Sequence, residues 1–210
     1  MLINNNISRG DTLIEVLFAI SIFSLVAVGG LAIMNQGTAT SQRALEITLV
    51  RNEIDAQAET LRFLNASYIA AYQPGISYPP NTPAGQWATM LSGTTSDTQI
   101  SDFGITDDSK CPAIPSGSFI LNARSATFIP YAEDKLRPAQ VYSKVQYDNS
   151  DVVSSAQGIW IEAVRSATVL ENNQANAGYV DFHIRACWDS PGQSVPVTIG
   201  TIVRLYEPRG

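Results

Sequence analysis

The chain has 210 residues, with 13 Lys and Arg against 19 Asp and Glu, which gives a formal net charge of −6. Its hydrophobic content of 45% excludes an intrinsically disordered chain, and its acidic balance argues against a nucleic-acid groove, which needs clustered Lys and Arg. Charged residues make up only 15%, below the roughly 25% usual in soluble domains, and the deficit is local because residues 16–42 contain none.

The first element is an apolar segment at residues 13–34, in which 17 of 22 residues are Ala, Val, Ile, Leu, Met or Phe. As a helix it spans about 33 Å, against a bilayer core of about 30 Å, so the sequence predicts a transmembrane helix within residues 11–34. No second long apolar run exists, which excludes a polytopic membrane protein. Arg9 is the only basic residue before the segment, so we expect the amino terminus in the cytoplasm and the rest of the chain outside.

Two simpler interpretations compete for this segment. A secretory signal peptide has an apolar core of about 7–15 residues and a small-residue cleavage site after it. The core here is longer, and Met34-Asn35-Gln36 offers no such site. A plain membrane anchor is the other alternative, and it must account for Glu15, a carboxylate close to the start of the apolar run.

Residues 8–17, which read Ser-Arg-Gly-Asp-Thr-Leu-Ile-Glu-Val-Leu, resemble the processing site of type IV prepilins and pseudopilins. In that family a dedicated membrane peptidase cuts after the Gly and the apolar helix is kept. The resemblance implies a cleaved leader at residues 1–10, cleavage after Gly10, and Asp11 as the first mature residue. The family usually has Phe at that position, often N-methylated, so Asp11 leaves methylation of the new amine open.

The resemblance also assigns a role to Glu15, which becomes the fifth mature residue. In the family this glutamate pairs with the terminal amine of a neighbouring subunit, so Asp11 and Glu15 are the expected assembly residues. An unpaired buried charge costs several kcal/mol, and pairing therefore selects the register in which helices stack. The expected partners are other pilin subunits, the prepilin peptidase, a membrane assembly platform and, before assembly, the lipid bilayer.

The expected function is a structural subunit of a type IV pilus-like filament, with adhesive and mechanical roles following from the family. The chain begins as a single-pass protein of the cytoplasmic membrane and ends in an extracellular pilus at the cell surface. One alternative is a pseudopilin of a type II secretion or DNA-uptake machine. Another is a single-pass anchored surface domain that binds a ligand and never assembles, which keeps Met1 at its amino terminus.

An amphipathic helix is predicted to continue through residues 35–73. Its apolar stripe recurs at helical spacing, and charged residues, Glu46 among them, are expected on its other faces. Pro74-Gly75 ends the helix. The stripe is expected to pack on the protein's own sheet rather than in a coiled coil, because Gln57 interrupts it. The stripe comprises Ile47, Val50, Ile54, Ala58, Leu61, Leu64 and Tyr68.

Residues 74–210 are expected to form an extracellular domain of loops and a mostly antiparallel sheet, which makes the fold α+β. Residues 73–108 are predicted to form a loop. Tyr78 and Trp87 in this loop are interpreted either as part of an adhesive patch or as loop-packing residues. The acids at residues 101–102 and 107–108 are interpreted as solvated loop acids rather than a Ca²⁺ site. Alternating apolar and polar residues predict six strands, at 118–122, 126–130, 140–147, 158–165, 179–188 and 197–206.

Cys111 and Cys187 are the only cysteines. An exported domain meets an oxidising compartment, so we expect a disulfide between them, worth about 4 kcal/mol in the chain-entropy model, rather than two buried thiols. No catalytic residue, metal ligand set or cofactor is predicted. His183 is the only histidine, and its place in an alternating strand indicates an exposed strand position.

Overall fold

A computed structural model of the chain describes residues 11–96, 110–165, 170–171, 174–175 and 178–208. The fold is α+β as predicted, with one long helix packed on a mostly antiparallel sheet. The chain divides into two compact units, residues 1–44 and residues 45–210. The helices are α1 (Asp11–Ala71) and α2 (Pro83–Thr94); the strands are β1 (Thr95–Ser96), β2 (Phe119–Asn122), β3 (Thr127–Pro130), β4 (Leu136–Arg137), β5 (Lys144–Tyr147), β6 (Val153–Gln157), β7 (Ile159–Arg165), β8 (Leu170–Glu171), β9 (Gln174–Ala175), β10 (Tyr179–Trp188) and β11 (Val197–Tyr206).

The sheet of the second unit has the strand order β11-β10-β7-β2-β3, and all of these neighbours are antiparallel. The short strand β1 also pairs with β7, in parallel. In the central register Phe182 of β10 lies between Ala163 of β7 and Val203 of β11. Five of the six predicted strands match within one residue: two match at both ends, and the strands predicted from 118, 126 and 158 each begin one residue later. The sixth, predicted at 140–147, begins only at Lys144.

The apolar stripe of α1 lies on this sheet. Val50, Leu61 and Leu64 are completely buried, and they share one core with the strand residues and with all three tryptophans. Burying an aliphatic side chain of this size stabilises the fold by roughly 1.5–3 kcal/mol. The prediction that the stripe packs on the protein's own sheet is therefore confirmed.

Gln57, which interrupts the stripe, joins the helix to β2. Its Nε2 donates to the carbonyl oxygen of Leu121 at 2.9 Å, and its Oε1 accepts from the Leu121 amide at 2.9 Å. Both groups are buried, and a buried amide without a partner costs about 1–3 kcal/mol. The side-chain amide of Gln57 thus makes the pair of hydrogen bonds to Leu121 that the backbone of a neighbouring strand would make. A second polar contact, from Asn65 Nδ2 to the Tyr206 carbonyl at 3.2 Å, joins the helix to β11.

The expected exposure of Glu46 is wrong, because this carboxylate is buried. Trp188 Nε1 donates to its Oε2 at 3.0 Å, and Ser190 Oγ donates to the same oxygen at 2.7 Å. Both donors lie more than 140 positions away in the sequence, so periodicity along the helix could not reveal them. Charge-assisted bonds of this kind are stronger than bonds between neutral groups, which is why the buried carboxylate is tolerated.

Helix α2 occupies a stretch that the sequence predicted as loop. Thr82 caps it, since its Oγ1 accepts from the Gly85 amide at 3.1 Å, and Pro83 takes the first helical position. Gln86 then joins α2 to β3 by accepting from the Phe128 amide at 2.6 Å. Trp87 is fully buried against Phe182, with ring centroids 5.5 Å apart, so it serves packing rather than an adhesive patch.

Tyr78 closes the end of α1. Its hydroxyl accepts from the Gln73 amide at 2.8 Å and donates to the Ala71 carbonyl at 3.0 Å. The Ala71 carbonyl is among the last acceptors of the helix, which have no partner inside it, and the Gln73 amide lies just beyond the helix end. The helix ends at Ala71, ahead of Gly75, which has a φ of 79°.

The second, three-stranded sheet has the order β4-β6-β5, and sequence reasoning found only part of it. Strand β6 reads Val-Ser-Ser-Ala-Gln, and Val153 is its one residue of the β-branched or aromatic type that is typical of strands. Val141, predicted to alternate with exposed residues of one strand, lies before β5 and is 55% exposed. The prediction of one strand over 140–147 is therefore wrong at its first four residues.

The predicted disulfide is present and joins Cys111 to Cys187 in β10, with the two Cα atoms 5.7 Å apart. Gly158 lies directly beside it, with a φ of 62°. Its carbonyl accepts from the Cys187 amide at 2.8 Å and from Ser143 Oγ at 2.8 Å. A Cβ at position 158 would stand 2.4 Å from the Cys187 carbonyl oxygen, so only glycine fits this approach.

We expect the Gly158→Ala variant to lose about 3 kcal/mol of unfolding free energy, because the left-handed φ and the backbone clash both act against a side chain. Gly192→Ala is the matched control, since Gly192 has a φ of 76° and nothing within 4 Å of an added Cβ. It should lose only about 1 kcal/mol. Urea denaturation followed by tryptophan fluorescence measures both, and equal losses would show that the clash is relieved.

Candidate functional site

The apolar segment of α1, at residues 13–34, contains most of the exposed large hydrophobic side chains that the structure describes. Every large apolar side chain in it is more than half exposed. The best 18-residue window has a mean hydropathy of 2.6, and none of it is buried. It lies in the one helix, among the described residues, that is long and apolar enough to cross a membrane. Exposed apolar surface of this extent marks contact with lipid or with other proteins.

The polar side chains of the segment are few, and two of the three are satisfied within the helix. Ser21 Oγ donates to the Leu17 carbonyl at 2.8 Å, and Ser24 Oγ donates to the Ile20 carbonyl at 2.7 Å. Hydroxyls bonded in this way do not need water, so they can enter an apolar environment. Glu15 is the third, and it is exposed with no hydrogen bond or ion pair to any residue that the structure describes.

The predicted processing and assembly residues lie at the start of this segment. Gly10 and the leader at 1–10 lie outside the described residues. Asp11 is the first residue of α1, and Glu15 follows one turn later in the same helix. Pairing between a terminal amine and Glu15 stays a prediction. The loop acids at 101–102 and 107–108 also lie outside the described residues.

A second group of polar residues lies on the face of the main sheet opposite α1, which we call the outer face. Glu162 is nearly buried; its Oε1 accepts from Trp160 Nε1 at 2.9 Å and stands 3.4 Å from Arg185 Nη1. His183 is the cross-strand neighbour of Glu162. It is half-buried rather than exposed as the sequence indicated. No local sequence pattern indicated the Glu162–Arg185 pair, because its two members come together only through the pairing of β7 with β10.

Beside this group a shallow cavity of about 290 Å³ lies between β10 and β11, with His183 and Arg185 on one strand and Gly200 and Ile202 on the other. Within the described part of the chain, no three His, Cys, Asp or Glu side chains are placed to hold a metal ion. Glu162 and Arg185 neutralise each other, so the group supplies a paired charge network rather than a free acid and base.

Comparisons with known proteins found no relative: no protein-family model, curated protein or solved structure matches the chain. Two features of the described residues therefore bear on function, the exposed apolar segment with Glu15 and the polar network of the outer face. The first is the more specific, because a solvent-exposed stretch of this length is costly for a protein that remains in water.

The polar network of the outer face predicts a pH dependence of stability. Burial lowers the pKa of His183, and the nearby Arg185 cation lowers it further. The unfolded chain therefore takes up the proton first as the pH falls through about 6.5, and stability falls with it. We expect the urea midpoint to drop between pH 7.5 and pH 5, and to drop less in the His183→Gln variant.

Comparing the wild-type protein with the His183→Gln variant isolates the contribution of His183 to the pH dependence of stability. Hydrogen bonds from Arg204 lower the pKa of Asp181, so its contribution is lost only as the pH falls below about 4. Burial raises the pKa of Glu53, which acts in both proteins and cancels in the difference. An identical pH profile for the two proteins would contradict the prediction.

Proposed function

We propose that this protein is a structural subunit of a type IV pilus-like filament or of a related pseudopilus. In this proposal it is inserted in the cytoplasmic membrane, cleaved after Gly10 by a prepilin peptidase, and assembled through its N-terminal helix. The observation that carries the proposal is an exposed apolar helical segment whose one charged residue, Glu15, lies five positions after Gly10. The chain is the substrate of the peptidase and performs no chemistry itself.

The apolar segment supports both stages of this path. A membrane holds it first, because 22 residues of helix are enough to span the hydrocarbon core. Other copies of the helix can cover it afterwards, since helix association in lipid relies on close packing rather than on a hydrophobic force. Gly29 and Gly30 favour such packing, because an added Cβ at either meets nothing within 4 Å and the bare backbone is open to approach.

Glu15 is what separates this function from that of a plain anchor. A carboxylate among apolar side chains needs a partner, and the described part of the chain provides none. Cleavage after Gly10 creates a new amine at Asp11, and a neighbouring subunit can bring that amine to Glu15. In a plain anchor the carboxylate loses part of its hydration and gains no partner in return.

The second unit fits an extracellular location. Its disulfide between Cys111 and Cys187 forms and persists in oxidising compartments. The helical stripe from Val50 to Leu64 is already covered by the sheet, so this unit has its own core and leaves the apolar segment at 13–34 available for assembly.

Cleavage tests the proposal directly. Co-expression with a prepilin peptidase should convert the amino terminus from Met1 to Asp11, and the Gly10→Val variant should remain uncut. N-terminal peptide mapping by mass spectrometry, with and without the peptidase, reads both outcomes. A chain that keeps Met1 in the presence of the active enzyme is a plain anchor, and the proposal is then wrong.

Glu15→Ala should leave membrane insertion intact and reduce the yield of sheared filaments roughly tenfold or more, because the amine of the neighbouring subunit loses its partner. Ser21→Ala is the matched control, since Ser21 is a polar residue of the same segment that is satisfied inside its own helix. Carbonate extraction measures insertion, and immunoblotting of the sheared fraction measures assembly. Normal filament yield from Glu15→Ala would remove this role for the carboxylate.

A further inference from the structure

Strand β11 is a long edge strand. It has ten residues, pairs with β10 along its whole length, and has no second strand partner among the described residues. An edge of this kind presents a row of backbone donors and acceptors that can template another strand. Three side chains on it, Ile202, Arg204 and Tyr206, lie largely in solvent.

The opposite edge of the same sheet is protected. Strand β3 has only four residues and ends at Pro130, which cannot donate to a ladder. Helix α2 also contacts it, and Gln86 accepts from the Phe128 amide. Natural sheets commonly protect their edges with short strands, proline and covering elements. Among the described residues β11 has little such protection: prolines lie only outside its ends, its one charge, Arg204, is neutralised by Asp181, and only its last residue, Tyr206, is bonded from outside the sheet, by Asn65.

The direction of the free backbone groups follows from two hydrogen bonds at the end of the strand. The Glu207 amide donates to the Gly178 carbonyl at 2.8 Å, so the backbone of residue 207 faces β10. In an antiparallel ladder this direction alternates, so residue 206 faces away. Asn65 Nδ2 indeed reaches the Tyr206 carbonyl from outside the ladder. The groups of Thr198, Gly200, Ile202 and Arg204 therefore point to the free edge.

These four residues and Tyr206 form a self-complementary row. In an antiparallel pairing of two β11 strands centred on residue 202, Ile202 meets Ile202, Gly200 meets Arg204, and Thr198 meets Tyr206. All five outward-facing residues then lie opposite one another, and the Tyr206 carbonyl, which already accepts from Asn65 Nδ2, is the one group of the row that is not free. A pairing centred on residue 204 sets two Arg204 side chains against each other, and like charges directly opposite are destabilising. Registers centred on residues 201 and 203 avoid this repulsion but set one outward-facing residue opposite Pro196 or Pro208, which has no amide to donate, so the register centred on Ile202 is the one that pairs all five.

We propose that the free edge of β11 binds the same edge of a second copy of this chain, forming an antiparallel two-fold pair centred on Ile202. The two six-stranded sheets then become one continuous sheet. The partner is a second copy because the row matches itself in hydrogen bonding, charge and apolar contact. The pairing is isologous, since the same residues contribute from both copies. It is independent of leader cleavage and of Glu15.

Introducing a charge at the two-fold centre tests the pairing in the full chain, purified in detergent micelles. Ile202→Lys and Ile202→Asp should each raise the dimer dissociation constant roughly tenfold, because each sets like charges opposite each other. A 1:1 mixture of the two variants should dimerise again. Val152→Lys is the matched control, since Val152 is likewise about half exposed but lies outside β11. Sedimentation over a concentration series measures the constant.

A cysteine at the same position tests the register. Cys111 and Cys187 are disulfide-bonded, so Ile202→Cys and Val152→Cys each introduce one free thiol. Opposite Cα atoms in a hydrogen-bonded antiparallel pair lie about 5.5 Å apart, within the range of a disulfide. We expect Ile202→Cys to form a covalent dimer at least about fivefold faster than Val152→Cys.

The outcomes separate this proposal from assembly through α1. Rescue in the charge-swapped mixture supports β11 pairing and also shows that both variants are folded. If the wild-type chain is monomeric at all concentrations, if neither variant weakens the dimer, or if the two cysteines react equally, the pairing is wrong. Repeating the series in the Glu15→Ala background should leave the constant unchanged, so failure of β11 pairing leaves the filament proposal standing, and the reverse also holds.

Discussion

The structure of the second unit depends on the burial of one helical stripe against the main sheet. The stripe from Val50 to Leu64 supplies the apolar area, but apolar contact alone is non-directional and permits a helix to slide by a turn. Gln57 removes that freedom, because its amide matches both backbone groups of Leu121 and only one register allows this. Displacing the helix leaves a buried amide and a buried strand residue without partners.

The apolar segment at residues 13–34 belongs to the same helix but meets a different condition. Its large side chains remain more than half exposed, and the structure describes no element of the chain packed on them. At about 25 cal/mol per Å² of apolar surface, even partial covering of the segment by lipid or by other helices stabilises it strongly. The helix therefore contains one stretch that completes the fold and another that the described residues leave uncovered.

Sequence reasoning succeeded where the signal is periodic. The stripe on α1 follows the helical repeat, and β10 alternates Phe182 and Ile184 with Asp181 and His183, so both elements were predictable. The disulfide was predictable because the chain has only two cysteines and an expected exported domain.

It failed where structure depends on distant residues or on weak local signals. Helix α2 begins with the Thr82-Pro83 capping pattern and has apolar residues at Trp87, Met90 and Leu91, a signal that the surrounding Pro, Gly and Ser residues concealed. Strand β6 has one strand-favouring residue, Val153, among Ser, Ala and Gln. The buried state of Glu46 and the Glu162–Arg185 pair follow from contacts across the sheet, which no local pattern encodes. At the candidate site, Glu15 was predicted from a sequence motif, and the structure shows that its side chain is exposed.

Glu15 and Glu46 show how the same side chain on one helix can serve two purposes. Both carboxylates lie beside apolar residues, where an ionised group needs donors to offset lost hydration. Glu46 receives them from its own fold, through Trp188 Nε1 and Ser190 Oγ, and it thereby ties α1 to the end of β10. The described residues offer Glu15 nothing comparable. In the proposed function its donors are the water and headgroups of a membrane interface at first, and then a cation on another subunit once the helix leaves the bilayer. A helix that is withdrawn from lipid into a protein assembly loses the first source, so the second decides which neighbours it accepts.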